Sequence, residues 1–382
     1  MAEYSGTLYS YSATLPHKRV VSDRIILADP MTIVAINALG LHNESKFAFV
    51  NTPGTMYEWL QDTYAARSTT AAATNLTNDS TTTTIVVATG TGAYFQIGDV
   101  IQIDSEYIWV SSISTNTLTV TRNFGGTQAT HASTSTIYIR YNARVEKATS
   151  SDSPFTEATS GYNYSTILHK QISISRTNKL IKQYGIENVV EREIDKAMDE
   201  KMMQLNKIPY HGQRVSGGST SSPTSSGGLS TFITTNRNTL SGTPALLRSH
   251  IEDEVQDCWD AGGNPTLLLS GGWAKRKITG FFEGYVRTDR SEKRGGIVID
   301  HIDTPLGLSL ELAVDRHCPS DTLYILDTNY VGFITLDDFF YEELGKTADT
   351  ADHGYGQVVG EYGFVCAFNA AHSIVSGFST ST

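Results

Sequence analysis

The sequence has 382 residues, of which 39% are hydrophobic and 18% charged, and its 29 basic and 40 acidic residues give a net charge of −11. This balance argues against a strongly basic nucleic-acid binder. The cysteines, Cys258, Cys318 and Cys366, lie too far apart for a disulfide framework or a paired metal knuckle and indicate a reducing compartment. No apolar run approaches the roughly 20 residues of a membrane helix, and the N-terminus has no apolar signal core, so we expect a soluble protein made in the cytoplasm.

Residues 1–52 are predicted to form an N-terminal arm. Residues 1–30 are polar and rich in Tyr and Ser, and a segment with so little apolar surface becomes ordered only against another surface. Residues 31–50 combine a short apolar turn or helix with an alternating run. The turn signal Asn51-Thr52-Pro53-Gly54 then leads into residues 55–62, whose alternation predicts a strand.

The composition changes sharply between residues 65 and 139. The segment opens with a nearly uncharged, Thr-rich stretch, and short β-branched runs separated by turn residues follow. The predicted strands are residues 84–88, 100–103, 107–110, 117–121 and 136–139. Their length and spacing predict a small antiparallel barrel or sandwich. We interpret it as an inserted module at the tip of a hairpin, whose legs are the strand ending near Tyr64 and the segment 141–146.

Between residues 162 and 212 the hydrophobic period changes from two to about 3.6. The first part alternates like a strand as far as Ile174. Apolar residues then recur every three or four positions and predict one long amphipathic helix over residues 185–208, which Pro209 ends. The other face of this helix carries dense mixed charge, and such helices usually pack their apolar stripe on a sheet.

The pattern becomes α/β after residues 215–228, a Gly/Ser-rich stretch that we interpret as a flexible loop rather than a phosphate cradle, because it lacks a Lys-Ser/Thr ending. Thr243-Pro244 is predicted to start a helix, and a short buried strand at residues 266–270 precedes a second helix. Further strands are predicted at residues 296–302, 308–314, 322–326, 331–336 and 355–368.

The sequence offers no credible catalytic constellation. Two small clusters contain metal-ligand or acid–base side chains: Asp300, His301 and Asp303, and the pair His317 and Cys318. Their spacing matches no ligand or catalytic pattern, and a surface turn is the simpler interpretation. The basic patches at residues 275–277 and 287–294 are interpreted as solvated faces. We therefore predict no catalytic, cofactor-binding or metal-binding residues, no cofactor and no enzyme activity.

Several local motifs occur in a characteristic order. They are Asn163-Tyr164-Ser165-Thr166-Ile167, Gln183-Tyr184-Gly185, Gly227-Gly228-Leu229, residues 264–270, Ile325-Leu326-Asp327, residues 339–349 and Gly360-Glu361-Tyr362. Together with the order of the predicted elements, they resemble the Hong Kong 97-type major capsid protein of tailed double-stranded DNA bacteriophages. The resemblance covers most of the chain except the β module.

The resemblance implies an α+β fold of the Hong Kong 97 type, with an N-terminal arm, an extended loop, a peripheral domain that contains a long spine helix, and an axial domain. The implied domains are the arm 1–52, the extended loop 53–64 and 140–160, the inserted small all-β barrel or sandwich module 65–139, the peripheral domain 161–242 and 350–382 with its spine helix 185–208, and the axial domain 243–349.

The same resemblance implies a structural, non-catalytic major capsid protein that self-assembles into the pentamers and hexamers of an icosahedral head around packaged double-stranded DNA. The implied partners are further copies of the chain, a separate scaffolding protein or none, a portal protein and a cement protein, with non-specific DNA contact and no membrane. The product is a virion capsid assembled in the cytoplasm of the bacterial host. A Lys–Asn crosslinking pair, known in some relatives, cannot be placed here and is not predicted.

Two other functions stay open from the sequence. One is a different virion structural protein, such as a tail or adhesin subunit with a β-rich module. The other is a soluble enzyme that uses the α/β part, which would need a pocket with converging polar groups.

Overall fold

A computed structural model of the chain describes residues 32–41, 54–72, 83–146, 154–181, 188–219, 221–242, 244–281, 286–294, 297–344 and 353–380. For residues 218–219, 286–294, 297–300 and 353–355 it describes the backbone alone. Backbone contacts divide the chain into two compact units. We call Met1–Trp59 together with Gly161–Thr382 the body, and Leu60–Ser160 the loop unit.

The helices in the described residues are α1 (Val34–Leu39), α2 (Arg176–Leu180), α3 (Val189–Leu205), α4 (Ile208–His211), α5 (Leu229–Phe232), α6 (Arg248–Asp260) and α7 (Gly272–Phe281). The strands are β1 (Met56–Gln61), β2 (Ser68–Thr70), β3 (Thr84–Val86), β4 (Asp99–Ile103), β5 (Glu106–Ser114), β6 (Thr117–Thr121), β7 (Thr136–Asn142), β8 (Thr159–Tyr164), β9 (Thr166–Ser175), β10 (Val215–Ser219), β11 (Ser222–Ser225), β12 (Asn236–Thr239), β13 (Leu267–Ser270), β14 (Val286–Arg294), β15 (Ile297–Asp303), β16 (Ser309–Val314), β17 (Thr322–Leu326), β18 (Val331–Leu344), β19 (His353–Cys366) and β20 (Ser373–Ser376).

The largest sheet of the body is mixed, with strand order β12-β20-β17-β13-β16-β15-β14. Its central strand β13 is buried along its whole length, as a run of three leucines predicts for a strand covered on both faces. Leu268 packs on one side with residues of α6 and α7. Leu267 and Leu269 pack on the other side with α1 and the end of α3. The alternation of β13 thus divides the body into two hydrophobic layers.

The long helix α3 packs beside a second sheet, with strand order β18-β19-β9. Ala197 of α3 is fully buried with Ile172 and Ile174 of β9, as the predicted change from strand to helix requires. Asn188 caps the helix, because its side-chain oxygen accepts hydrogen bonds from the backbone N–H groups of residues 190 and 191.

The limits of α3 differ from the predicted helix over residues 185–208. Its predicted start falls outside the described residues, which exclude 182–187. Helix α3 ends at Leu205, before the predicted end at residue 208. Pro209 follows α3 and lies in the first turn of the next short helix, α4. Proline fits there because the first helical turn has no use for its missing N–H. At a rise of about 1.5 Å per residue, α3 is about 25 Å long.

The strand pairing departs from the predicted domain ranges in two places. Strand β18 lies within the predicted range 243–349 but pairs with β19 in the sheet beside α3. Strand β20 lies outside that range but pairs with β12 and β17 in the large sheet. Hydrophobic alternation identifies a strand but does not identify its partner.

Two local expectations are wrong. The supposed flexible loop over residues 215–228 contains the hairpin β10–β11, and Ser226 at its end is 1% exposed. The first helix of the α/β part begins at Arg248, and Pro244 precedes it in non-helical backbone, while Thr243 lies outside the described residues. Polar composition alone concealed the hairpin, because its residues carry no hydrophobic alternation.

The loop unit contains an antiparallel six-stranded sheet with strand order β2-β7-β4-β5-β6-β3. All five predicted strands of this segment are present, and β2 adds a sixth. The two end strands also meet, since Ala71 bridges Val87 and the Ala72 N–H donates to the Val86 carbonyl over 2.8 Å. Alternate residues fill its core, among them the fully buried Ile101 and Ile108, whose Cα atoms are paired across β4 and β5.

Strand β1 pairs with β8, and this pairing corrects the predicted hairpin legs. The segment 141–146 was expected to lie opposite the strand ending near Tyr64, but β7 continues to Asn142 within the six-stranded sheet. The true partner β8 lies in the Ser/Thr-rich stretch that lacked an apolar alternation. Its pairing depends on polar and glycine residues, which the hydrophobic pattern does not reveal.

Among the helices that the structure describes, none has both the length and the apolar character needed to cross a membrane.

Protonation of His372 should weaken the body. This fully buried ring accepts a hydrogen bond at Nδ1 from the Asp327 N–H, 3.2 Å away, and donates from Nε2 to the Ala367 carbonyl at 3.0 Å. Burial lowers the pKa of His372 to about 4. The unfolded chain, with a pKa near 6.5, therefore binds the proton first, so this contribution is present above pH 6.5 and lost as the pH falls toward 4.

We expect the free energy of unfolding to fall by about 2–3 kcal/mol over this pH range through His372 alone. Urea unfolding of unassembled subunits measures it, with His372→Asn removing this part of the pH dependence. The exposed His169 provides the control, and His169→Asn should retain the full slope. An identical slope in His372→Asn and the natural chain would contradict the prediction.

Candidate functional site

Strands β1 and β8 leave the body side by side, and two aromatic rings of β1 hold them there. A Cβ atom placed on Gly161 would lie 2.6 Å from the Trp59 ring, and one on Gly363 would lie 2.4 Å from the Tyr57 hydroxyl. Both positions therefore require glycine. Trp59 also packs edge-on against Phe232, with ring centroids 5.6 Å apart.

The side-chain amide of Asn163 in β8 joins three separate segments and is fully buried. Its Nδ2, which carries two N–H donors, lies 2.6 Å from the Phe364 carbonyl, 3.1 Å from the Gly227 carbonyl and 3.1 Å from Ser226 Oγ, so these three acceptors share its two hydrogens. Its Oδ1 accepts from the backbone N–H groups of Tyr164 and Gly227, both at 2.9 Å. Every donor and acceptor of this amide is thus used, as a buried amide requires.

The hydroxyl of Tyr57 in β1 also forms hydrogen bonds with the backbone of Phe364 in β19. It accepts a hydrogen bond from the Phe364 N–H at 2.8 Å and lies 3.0 Å from the Phe364 carbonyl, to which it can donate. Ser226 Oγ also lies within hydrogen-bonding distance of the Phe364 N–H, at 3.1 Å. Burial raises the pKa of the Tyr57 hydroxyl, so it stays protonated and keeps its donor.

We call Tyr57, Asn163, Ser226, Gly227 and Phe364 the ladder root. All five residues belong to the body, and they join β1, β8, β19 and the segment after β11. Their polar groups replace the backbone pairing that a continuous sheet would supply. The ladder root therefore holds β1 and β8 against β19 and the segment after β11, and it contains no group arranged for catalysis.

A second buried polar cluster fixes α1 to the body. Asp315 is fully buried, and its Oδ2 accepts from Asn206 Nδ2 at 2.6 Å, from the Tyr210 hydroxyl at 3.1 Å and from the Ala35 N–H at 3.3 Å. Asn206 in turn accepts from the Ile36 N–H at 3.2 Å. These bonds receive two of the free N–H groups at the start of α1, so a short helix from the N-terminal part is held at the end of α3.

The loop unit has its own buried charged cluster around Glu106, which is 1% exposed. Arg122 donates to both oxygens of Glu106, at 3.1 and 2.6 Å, and His131 Nε2 lies 2.9 Å from the same carboxylate. Burial alone would raise the pKa of Glu106, but these partners and two backbone N–H groups lower it to about 2. The cluster attaches the segment between β6 and β7 to the start of β5.

The structure does not gather the sequence clusters into a site. His301 and Asp303 lie in β15, where His301 is paired with Glu311 of β16, and the side chain of Asp300 is outside the described part. His317 lies in the turn after β16, and its Nε2 is 3.2 Å from Thr32 Oγ1. Within the described residues there is no group of three or more His, Cys, Asp or Glu side chains placed to hold a metal ion.

The cysteines and the basic patches, in the part of the chain that the structure describes, do not form a catalytic or ligand-binding arrangement either. Cys258, Cys318 and Cys366 are free and buried, and burial raises the pKa of all three thiols, that of Cys258 to about 12. A thiol with a raised pKa is a poor nucleophile. The first basic patch lies on α7, where Lys277 is 5.6 Å from the Trp273 ring, and the side chains of the second patch are not described.

Comparison with known proteins places this geometry in a family. The family model described as the SU10 major capsid protein matches residues 4–379. The capsid asymmetric unit of cyanophage A-1(L) is similar in fold, with a TM-score of 0.53, 11% identity and coverage of 94% of this chain and 97% of that one. The capsid of a native GTA particle gives a TM-score of 0.52 at 10% identity, covering 97% and 98%. A search of curated proteins finds no match.

These solved structures share with this chain, along nearly its whole length, the α+β fold of the Hong Kong 97 type. Together with the family match, this fold identifies the class as the major capsid proteins of tailed phages. The chain belongs to the SU10 major capsid protein family. Its function is that of a major capsid protein, a structural component of the virion that assembles with further copies into a shell. The family match sets aside the tail-subunit alternative and favours a structural role over an enzyme.

Sequence reasoning missed the ladder root, although its parts were visible. Asn163 and Gly227 stand in two motifs that the resemblance singled out, but their sequence separation gave no sign that they touch. Tyr57 and Gly363 lie far apart in the sequence, and only the three-dimensional structure shows that the Tyr57 ring packs on Gly363. The three-dimensional proximity of these residues is a property of the tertiary fold and has no local signal.

Replacing Asn163 by leucine should destabilise the body strongly. The leucine has nearly the same size but leaves the Tyr164 and Gly227 N–H groups, and the Gly227 and Phe364 carbonyls, without this partner. We expect a loss of about 3–4 kcal/mol in the free energy of unfolding of the subunit, measured by denaturant titration.

The matched control is Asn264→Leu, because Asn264 is exposed. It should change the stability by less than about 0.5 kcal/mol. If the two variants lost the same amount, the ladder root would not be a stabilising junction.

Proposed function

We propose that copies of this chain form pentamers and hexamers that close into an icosahedral head around packaged double-stranded DNA. The observation that carries the proposal is the family match over residues 4–379. Ring-shaped assemblies follow from heterologous contacts, in which one patch of a subunit meets a different patch of the next. Elements that leave the body as a narrow pair, such as β1 and β8, suit contacts of this kind.

The subunit is non-catalytic in this proposal. The match to a family of structural capsid proteins supports this reading. A net charge of −11 favours weak, non-specific contact with DNA, because tight phosphate binding depends on clustered Lys and Arg. Packaged DNA can then slide along the inner wall of the shell.

We further propose that the strand pair β1–β8 and the loop unit form the extended loop, with residues 65–139 as an inserted β barrel at its tip. The bridge between Ala71 and Val87 supports a closed barrel, since it joins the two end strands of the sheet. The charged face of α3 is then a surface for neighbouring subunits as well as water. Assembly takes place in the cytoplasm of the bacterial host, with a separate scaffolding protein or none, a portal protein and a cement protein as partners.

Expression of the full chain, alone and together with the scaffolding protein of the same phage, tests the shell proposal. We expect rapidly sedimenting material that negative-stain electron microscopy resolves as closed isometric particles with five-fold and six-fold clusters. Folded monomers alone, or only open tubes, under both conditions would contradict the proposal.

Removal of the module tests whether it is inserted. Thr70 and Thr136 are paired across β2 and β7, so a short Gly-Ser linker can join residues 70 and 136 after deletion of residues 71–135. We expect the body to keep its unfolding transition and the chain to keep its assembly competence. Loss of the folded body in the deleted chain would show that residues 65–139 are part of its fold.

A further inference from the structure

The outer surface of the loop-unit sheet carries a cluster of aromatic side chains that the shell proposal does not use. Tyr107 and Trp109 lie in β5, and Tyr138 and Tyr141 lie in β7, on either side of β4. Tyr107, Tyr138 and Tyr141 are 38%, 43% and 54% exposed. Single exposed rings are normal on a protein surface, but a group of them on neighbouring strands of one sheet face is a candidate interaction site.

The strand register places these rings in two rows across three neighbouring strands. Gln102 of β4 is paired with Tyr107 on one side and with Tyr138 on the other. Val100 is paired in the same way with Trp109 and Tyr141. Since neighbouring strands lie about 4.8 Å apart, the two rings of each row are about 10 Å from each other. We call these four rings, with Gln102 and Arg140, the aromatic face.

The polar side chains of the aromatic face are held in place. Arg140 Nε donates to Gln102 Oε1 at 2.8 Å, and Gln102 Nε2 donates to the Asp104 carbonyl at 2.7 Å. The Arg140 guanidinium lies over the Tyr138 ring, 4.7 Å from its centroid. The Trp109 indole donates to the Ala143 carbonyl at 2.8 Å, which fixes that ring as well. A surface ordered before binding loses little side-chain entropy when a ligand arrives.

The charge of the loop unit limits the kinds of ligand that can bind to the aromatic face. Residues 60–160 contain five Lys or Arg and eight Asp or Glu residues, a net charge of −3. Arg122 is buried and paired with Glu106 inside the unit, whereas Arg140 lies on the aromatic face beside Gln102 and Tyr138. A nucleic acid would need several unpaired basic groups along its track. The ligand that fits is an uncharged polymer with both apolar and hydrogen-bonding surface.

We infer that the aromatic face binds glycan chains. A pyranose ring has an apolar C–H side, which packs on the electron-rich face of Tyr or Trp, and a rim of hydroxyl groups. Those hydroxyls need partners in place of water, and the tyrosine hydroxyls, Gln102 and Arg140 provide them beside the rings. The row formed by Tyr107, Gln102 and Tyr138 places a polar side chain between two rings, which suits a chain molecule that lies across the strands.

Affinity electrophoresis of the purified full-length subunit tests the inference. Native gels contain dissolved glycogen, laminarin, mannan or xylan, each in a separate gel, and retarded migration measures binding. We expect retardation in at least one of these gels. Tyr138→Ala and Tyr107→Ala should each weaken that binding about tenfold, since each removes one stacking surface.

The matched control is Tyr64→Ala, because Tyr64 is 88% exposed and lies outside the six-stranded sheet. It should bind as tightly as the natural chain. Circular dichroism checks that each variant is folded, and Gln102→Ala, which leaves all four rings in place, should cause a smaller loss and serves if a tyrosine variant is unfolded.

Three results would overturn the inference. The first is unretarded migration of the folded natural chain in all four gels, and the second is equal loss in Tyr64→Ala and the face variants. The third is evidence for a different ligand. Preferential binding of oligo(dT) would assign the aromatic face to nucleic acid. A shift in the oligomeric state of the face variants in analytical ultracentrifugation would assign it to a second copy of the chain.

Discussion

The side-chain amide of Asn163 is the constraint on which the arrangement of the body depends. A sheet of two strands has few neighbours, so side-chain contacts must hold it in place. Asn163 is fully buried there and bonds to β19 and to the Gly227 segment at once. The rings of Tyr57 and Trp59, seated on Gly363 and Gly161, prevent the pair from sliding.

Much of the fold could be predicted from the sequence because its elements are regular. The leucines of β13, the strands of the loop unit and the strand-to-helix change before α3 all follow hydrophobic periodicity. The motifs behind the capsid resemblance turn out to be contact partners: the Asn264 N–H donates to Asp327 Oδ2 at 3.0 Å, and Asn163 meets Gly227. The motifs were therefore recognisable one by one, while their pairing was not.

The sequence did not show which strands pair with each other or which polar residues meet. Strands β18 and β20 both alternate, and nothing in their residues shows that the first pairs beside α3 and the second joins the large sheet. Strand β8 is polar, so its pairing with β1 was assigned to a neighbouring segment. The ladder root and the Asp315 cluster are made of single polar residues from distant segments, and such clusters have no local pattern.

Native-state hydrogen exchange of the Gly227 and Phe364 amides in the unassembled subunit tests the central claim most directly. Both N–H groups donate within the ladder root, to Asn163 Oδ1 and to the Tyr57 hydroxyl. We expect both amides to exchange only through global unfolding, with the same protection as the amides of β13, and to keep this protection on assembly. Exchange of these two amides as fast as that of an exposed loop, with protection appearing only in the shell, would contradict this claim.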